Sequence, residues 1–316
     1  MQALAKIILV IFCALQFSSF AHAASPTMTG YRAFDQGLYK TAIKLATKEA
    51  QAGSENSAYL LGQMYRKGLG TPLDIEKSLS WYRKAAKADH AEAAFIYGYA
   101  LAQGEGIDKD IIEAKTYFIK AAKGGHMLAQ YNLAQIYAGL AGQPADYTKA
   151  FKWFERASEK GHAQSQMDLA VLYNSGKGVA QNHTLAARYM LKAAKNGRTD
   201  AMVRYAIMAF NGVGIETNLG DAIFWLKKAA TLGQPTAQTR LARLYYKGVG
   251  VPQDAEIAVM LYRLAQTANA EDSWLELEFK KLPITTLSIG QNLADEWVER
   301  NAAAEAKAGT KTSDKP

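Results

Sequence analysis

Three histidines most invite a chemical interpretation, because His90, His126 and His162 recur at intervals of 36 residues. Histidine is a common zinc ligand, and all ligands of one zinc ion lie about 2 Å from it. Equivalent positions in neighbouring helical repeats are about 10 Å apart, the spacing of packed helices. We therefore predict that these histidines are polar turn residues and bind no metal. His183 stands alone in a loop, without the acidic or serine neighbour that a catalytic triad needs.

Other catalytic chemistry is also poorly represented in the sequence. Cys13 is the only cysteine, and it lies in an apolar run near the start of the chain. There is no Ser-x-x-Lys motif in a suitable context, no pair of carboxylates and no phosphate-binding loop. We predict from this that the protein is not an enzyme and uses no cofactor.

A gap-free repeat of 36 residues must position these side chains, and it runs six times from Ser57 to Asp272. A fixed period of this length is typical of solenoid proteins. The fifth and sixth positions hold a large residue and then a small one, as in Leu61-Gly62, and an aromatic residue usually follows three positions later. This pattern predicts a short first helix that a neighbouring helix can approach closely. The repeats begin at Ser57, Ala93, Ala129, Ser165, Ala201 and Ala237.

Each repeat continues through a glycine-containing loop into a predicted second helix. Glycine supplies the positive φ angle that ends a helix, and Asp or Asn four residues after the second glycine is suited to cap the next one. The second helix then alternates small and bulky residues, which favours close packing. The loop glycines are Gly68 and Gly70, Gly104 and Gly106, Gly176 and Gly178, Gly212 and Gly214, Gly248 and Gly250, with Gly142 alone in the third repeat; the capping residues are Asp74, Asp110, Asp146, Asn182, Asn218 and Asp254.

In this arrangement the sequence resembles the Sel1-like repeat, a relative of the tetratricopeptide repeat with a longer GxG-containing loop. The resemblance implies an all-α fold, an α/α superhelical solenoid of helix-turn-helix repeats. Three residues depart from the pattern. Leu140 replaces the first loop glycine of the third repeat, Ala209 replaces an aromatic residue, and Asn269 replaces a closing glycine.

The segments on either side of the repeats predict that the protein is exported and that both ends of the repeat array are capped. Residues 1–23 read as a signal peptide, with Lys6, an apolar run from Ile7 to Phe17, and the triplet Ala21-His22-Ala23. Without Cys13 the mature chain has no cysteine, which suits a bacterial periplasm, although release from the cell stays open. We predict a capping repeat over residues 24–56, the six repeats over 57–272, capping helices over 273–300 and a disordered tail over 301–316. The capping helices are placed at Trp274 to Leu282 and Leu287 to Val298.

The outward positions of the first helices predict a binding surface, since these helices line the concave face in the tetratricopeptide arrangement. An apolar floor with basic ends suits a protein or peptide with apolar anchors and acidic flanks. The alternative is that Tyr59, Phe95 and Tyr131 pack between adjacent first helices. The predicted groove residues are Tyr59, Arg66, Lys67, Phe95, Tyr99, Tyr131, Val171, Ile207, Phe210, Arg243, Tyr246 and Lys247.

We interpret the chain as a periplasmic or secreted protein-interaction adaptor, with no nucleic-acid partner and no transmembrane segment. Its formal charge of +8 suits an acidic protein, lipid headgroups or an anionic glycan, and the alternative is that the lysines serve only solubility. Family resemblance leaves two versions: an ExoR-like periplasmic regulator of a sensor kinase controlling exopolysaccharide or motility, and a scaffold for envelope assembly or host interaction. An alternative of another class is a β-lactam or cell-wall hydrolase, known among cysteine-rich relatives. Those carry a disulfide in each repeat, which this sequence lacks.

Overall fold

Tandem helix pairs make up the part of the chain that the structure describes. The computed structural model describes residues 28–142 and 144–310, so the predicted signal peptide and the last six residues lie outside the described residues. The chain divides into two compact units, residues 1–126 and 127–316. We call them unit 1 and unit 2.

Unit 1 contains a short N-terminal helix pair and the first two repeats. Each helix packs against the next one along the chain. The helices are α1 (Gly30–Asp35), α2 (Tyr39–Gln51), α3 (Glu55–Lys67), α4 (Ile75–Lys87), α5 (Ala91–Gln103) and α6 (Ile111–Lys123).

Unit 2 contains the other four repeats and the C-terminal helices. Its first helices begin 36 residues apart, and so do its second helices, as the sequence period predicted. The helices are α7 (Met127–Tyr137), α8 (Tyr147–Glu159), α9 (Ala163–Ser175), α10 (His183–Lys195), α11 (Thr199–Asn211), α12 (Leu219–Thr231), α13 (Pro235–Lys247), α14 (Ala255–Gln266), α15 (Ser273–Phe279) and α16 (Ile284–Thr310).

Small residues allow the two helices of a repeat to touch. A Cβ atom at Gly62 would lie 2.6 Å from the ring of Tyr82, so only glycine fits at this contact. The bulky residue predicted for each second helix is buried in three repeats, as Tyr117, Trp225 and Leu261, and only partly buried in the other three, as Trp81 is. The residue after the predicted one fills the core in every repeat: Tyr82, Phe118, Phe154, Met190, Leu226 and Tyr262 are all buried.

All six predicted caps form, and both loop glycines have positive φ angles in the five repeats that contain the pair. The side chain of Asp74 accepts a hydrogen bond from Lys77 N, and the other predicted Asp and Asn caps do the same for their own helices. Gly68 ends α3 in the left-handed conformation. The third repeat differs, because Leu140 replaces the first glycine. There α7 ends early at Tyr137, and Gly139 takes the positive φ angle, before a 3-10 turn over Leu140–Gly142.

The C-terminal end extends further as helix than the sequence suggested. A break at Pro283 separates α15 from α16 as predicted, and Gly290 of α16 lies directly against Val259. We expected disorder from residue 301, but α16 continues to Thr310. Alanine, lysine and glutamate, which dominate residues 302–307, have high intrinsic helix propensities. Among the described residues, no helix is both long and apolar enough to cross a membrane.

Candidate partner-binding surface

The three recurring histidines have structural roles at the starts of first helices. His90 Nδ1 accepts a hydrogen bond from Ala93 N, and His162 Nδ1 accepts one from Ser165 N, both at 3.2 Å. Burial lowers the pKa of His90 and of His162, which favours the neutral ring that can accept. The described residues contain no group of three or more His, Cys, Asp or Glu side chains that could hold a metal ion.

Each of these histidines also packs on the aromatic residue found 31 positions earlier. Tyr59 stacks on His90 with ring centroids 4.4 Å apart, and Phe95 stacks on His126 at 4.1 Å. Tyr131 lies against His162 at 4.6 Å in a tilted arrangement. All three aromatic residues are half-buried. This geometry supports the alternative that they pack between repeats, and it leaves them little surface for a partner.

One small hollow in unit 1 brings together three of the predicted groove residues. Phe95, Tyr99 and Arg66 line it, above a floor that includes Tyr82. Arg66 Nη2 lies 3.4 Å from Glu105 Oε1, so its charge is partly compensated at the hollow's edge. Lys67, the next residue, is exposed at the end of α3.

A longer apolar groove lies on α9, α11 and α13 of unit 2. Val171 and Ile207 line one hollow, and Ile207 also lines a second one together with Phe210. Because Ile207 borders both hollows, they form a continuous surface across three first helices. Val171 and Phe210 are 45% and 40% exposed. We call this surface, with its two arginines described next, the unit 2 groove.

Two arginines beside this groove escaped the sequence prediction. Arg204 lines the first hollow and Arg240 the second. Both are exposed, and neither forms an ion pair within the part of the chain that the structure describes. They occupy the fourth position of their repeats, which we had not counted as outward-facing. The sequence did contain a signal for these arginines. The fourth repeat position is apolar in the first two repeats, as Leu60 and Ile96, and is arginine in the last two.

Arg243, predicted as a free cation at the basic end, is instead engaged with the C-terminal helices. Its guanidinium makes two hydrogen bonds to the buried carboxylate of Asp272, at 2.7 and 2.8 Å. Burial raises the pKa of Asp272, but the hydrogen bonds from Arg243 and from Leu275 N outweigh it and hold the pKa below its usual value. The sequence could not show this pair, because the partners are distant along the chain.

Tyr246 and Lys247 also contact the C-terminal helices. The hydroxyl of Tyr246 donates to Glu278 at 3.0 Å, and the Lys247 amine lies 4.5 Å from the centre of the Trp274 ring. These two residues therefore anchor α15 to α13. They contribute less free surface than the prediction assumed.

A polar network occupies the corresponding first-helix surface of α7 and α9. Gln135 Nε2 donates to Tyr131 Oη at 2.7 Å and lies 3.4 Å from Asp168 Oδ2. Gln164 donates to the other oxygen of Asp168 at 3.1 Å. Burial raises the pKa of Asp168 to about 6. The apolar groove therefore starts at Val171, one turn beyond this carboxyl group.

Comparison with known families settles the nature of the repeats. The Sel1 repeat family matches residues 56–90, 91–126, 128–162, 163–197, 199–234 and 235–265, in phase with the helix pairs described above. The chain belongs to the Sel1 repeat family. No curated protein matches it.

Two solved Sel1-type structures are similar to the chain. A Sel1 repeat protein from Oxalobacter formigenes is 27% identical over 77% of this chain and 97% of its own, with a TM-score of 0.60. A protective antigen present in uropathogenic Escherichia coli strains, which displays an SLR fold, is also 27% identical. That match covers 88% of this chain and 68% of the antigen, with a TM-score of 0.54. Sel1-repeat proteins are protein-interaction scaffolds.

Proposed function

We propose that this Sel1-repeat protein is an exported, periplasmic adaptor that binds a partner protein in the unit 2 groove. The observation that carries the proposal is the continuous apolar floor of the exposed Val171 and Phe210 and the partly buried Ile207. Beside it lie Arg204 and Arg240, which form no ion pair among the described residues. Apolar anchors of a partner would be buried on this floor. Acidic residues flanking those anchors would meet the two guanidinium groups.

Export is supported by the signal-like residues 1–23, which lie outside the described residues. A periplasmic adaptor has two versions, a regulator of a sensor kinase and a scaffold for envelope assembly. A partner whose binding segment combines apolar anchors with acidic flanks fits the groove in either version.

Site-specific photocrosslinking tests the proposal directly. A photoreactive phenylalanine analogue at Phe210 should crosslink one partner protein in intact cells, and the same analogue at Ile112 should not. Ile112 is a suitable control because it is exposed but lies on a second helix of unit 1. Mass spectrometry of the crosslinked product then separates a sensor kinase from envelope assembly machinery.

Binding measurements with that partner complete the test. Ile207→Ala and Phe210→Ala should each weaken binding about tenfold or more, because burying such a side chain contributes roughly 1.5–3 kcal/mol. The thermal midpoint should stay nearly unchanged in Phe210→Ala, and should fall modestly in Ile207→Ala because that side chain also packs against the core. Equal crosslinking from both positions, or variants that lose stability but bind normally, would contradict the proposal. Hydrolysis of a β-lactam or a peptidoglycan fragment would favour the enzyme alternative.

A further inference from the structure

The second helices α10 and α12 present a second, chemically different surface in unit 2. Their outward positions combine basic side chains with two large apolar ones, and α11 alone separates the two helices along the chain. We call this surface the basic face. Its residues are Arg188, Lys192, Lys195, Phe224, Lys227, Lys228 and Leu232.

The positive charge of the basic face is only partly compensated by nearby acids. Burial, together with the charges of Glu155 and Glu159 of α8, raises the pKa of Tyr189, so these two acids lie near the α10 end of the face. The only carboxylate in α10 and α12 is Asp221, and it accepts a hydrogen bond from Tyr205 Oη at 2.8 Å. None of the five basic residues forms an ion pair within the described residues. Lys192 and Lys228 instead lie over the rings of Tyr189 and Trp225, at 4.9 and 5.1 Å.

The neighbouring helix α8 differs from α10 and α12 in the charge of its outward residues. At the repeat positions of Arg188 and Lys192, α8 carries Lys152 and Arg156. There they alternate with Glu155 and Glu159, so the outer face of α8 is mixed in charge. A helix surface that serves only solubility has no reason to exclude acids, whereas one that meets an anionic partner does.

Two apolar side chains distinguish the basic face from a simple polyanion site. Phe224 and Leu232 are 57% and 58% exposed, although both are large enough to gain from burial. Phe224, Lys228 and Leu232 follow each other at intervals of four residues. Phe224 and Lys228 therefore lie on the same side of α12, and Leu232 directly follows the last residue of the helix. Exposed aromatic and aliphatic residues interleaved with lysines are typical of helices that rest in the interface of an anionic bilayer.

We propose that the basic face docks unit 2 onto a membrane surface rich in anionic phospholipid. The five cations would lie among the phosphate headgroups, and Phe224 and Leu232 would enter the boundary with the acyl chains. A linear polyanion could satisfy the cations, but it offers no apolar layer for these two side chains. The unit 2 groove lies on first helices, so the docked protein keeps it available to a partner.

Vesicle sedimentation with the purified chain tests this inference. The chain should bind vesicles of phosphatidylcholine and phosphatidylglycerol in equal parts, and bind pure phosphatidylcholine vesicles much less. High salt should weaken the binding, because the charges are exposed and screened. The double variant Arg188→Glu with Lys192→Glu should weaken binding at least about tenfold, since each cation near such a surface contributes measurably to binding.

Matched variants separate this surface from a general effect of charge. Lys152→Glu with Arg156→Glu changes the net charge equally, and should leave vesicle binding within about twofold. Phe224→Ala should weaken binding, whereas Ile112→Ala should not. All of these positions are exposed, so circular dichroism should show intact folding.

Three results would overturn the proposal. One is an absence of binding to the phosphatidylglycerol vesicles. Another is equal loss of binding in both charge-reversed pairs. The third is binding to polyglutamate or DNA that resists competition by the vesicles and is insensitive to Phe224→Ala, which would make the basic face a site for an anionic polymer.

Discussion

Asp168 is the carboxyl group whose protonation the fold changes most. It is partly buried, and the amides of Gln135 and Gln164 face its two oxygens. Burial raises its pKa to about 6. Between about pH 4 and pH 6, the Asp168 carboxyl group is therefore protonated in the folded state. In the unfolded chain the same group has an ordinary pKa and is already ionised.

The free energy of unfolding should consequently fall as the pH rises from about 4 to about 6, by up to ~3 kcal/mol from this group. Asp168→Asn keeps a neutral side chain at every pH, so it should remove that part of the dependence and stabilise the protein at neutral pH. Urea unfolding of both proteins across this pH range checks it. Asp108→Asn, a change at an exposed carboxyl group, is the control. An unchanged pH profile in Asp168→Asn would contradict the assignment.

The recurring histidines show how far residue-scale prediction reaches. Their spacing alone argued against a shared metal ion. Their position directly after a turn indicated that they are polar turn residues. Their actual role combines an N-cap with an aromatic stack, such as His90 on Tyr59. Histidine is not a typical capping residue. The stack depends on how two repeats pack, which no local pattern records.

At the scale of the helices, the two kinds of glycine in each repeat carry different constraints. Gly178 has a φ angle of +73°, and a Cβ atom there would lie 2.7 Å from Thr148 N at the start of α8. Gly161 has a φ angle of +87°, but nothing lies within 4 Å of its Cβ position. Gly161 is therefore required only for the conformation of its turn. Gly178 is also required because two backbone segments approach each other closely there.

Gly178→Ala should therefore destabilise the protein more than Gly161→Ala. Gly161→Ala should cost about 1–2 kcal/mol of stability, which is the strain of an alanine in the left-handed conformation. Gly178→Ala must in addition displace the backbone at the start of α8. We therefore expect it to destabilise the protein by at least ~2 kcal/mol more than Gly161→Ala does. Thermal and urea unfolding of the two variants, side by side, measure the difference. Equal destabilisation would show that the loop relaxes freely away from α8.

Within the six repeats, helix boundaries followed the sequence pattern except where a single residue changed. The substitution of Leu140 for glycine shortens α7, because leucine does not readily take the positive φ angle that ends the other first helices. At Asn269 and at Asp89 the closing turn survives with φ angles of +57° and +64°. Asn and Asp tolerate this conformation better than other residues with side chains.

At the scale of the whole chain, the export prediction rests on residues 1–23. Signal peptidase should cleave after Ala23 or Ala24, because the short apolar run ends in a small-x-small triplet. Mass spectrometry of the protein recovered from the periplasmic fraction should show that N-terminus. Recovery of a chain that retains Lys6 and Cys13 would rule out the periplasmic assignment.

The sequence by itself determined the repeat architecture, the helix pairs and their caps. These features are local: a 36-residue period, a glycine in a turn and an aspartate before a helix each act within a few residues of chain. Repetition in six repeats then makes the pattern unambiguous.

Only the tertiary structure decided which outward residues are free. Arg243 is held by Asp272, Tyr59 is covered by His90, and Arg204 stands beside an apolar groove, although all three are surface positions of first helices. Side chains that meet across repeats are about 30 residues apart in the chain, and their contacts depend on packing distances that the repeat pattern leaves open. The sequence therefore predicted which surface of the helices carries the candidate site. Which residues on that surface are free to bind a partner depends on the tertiary structure.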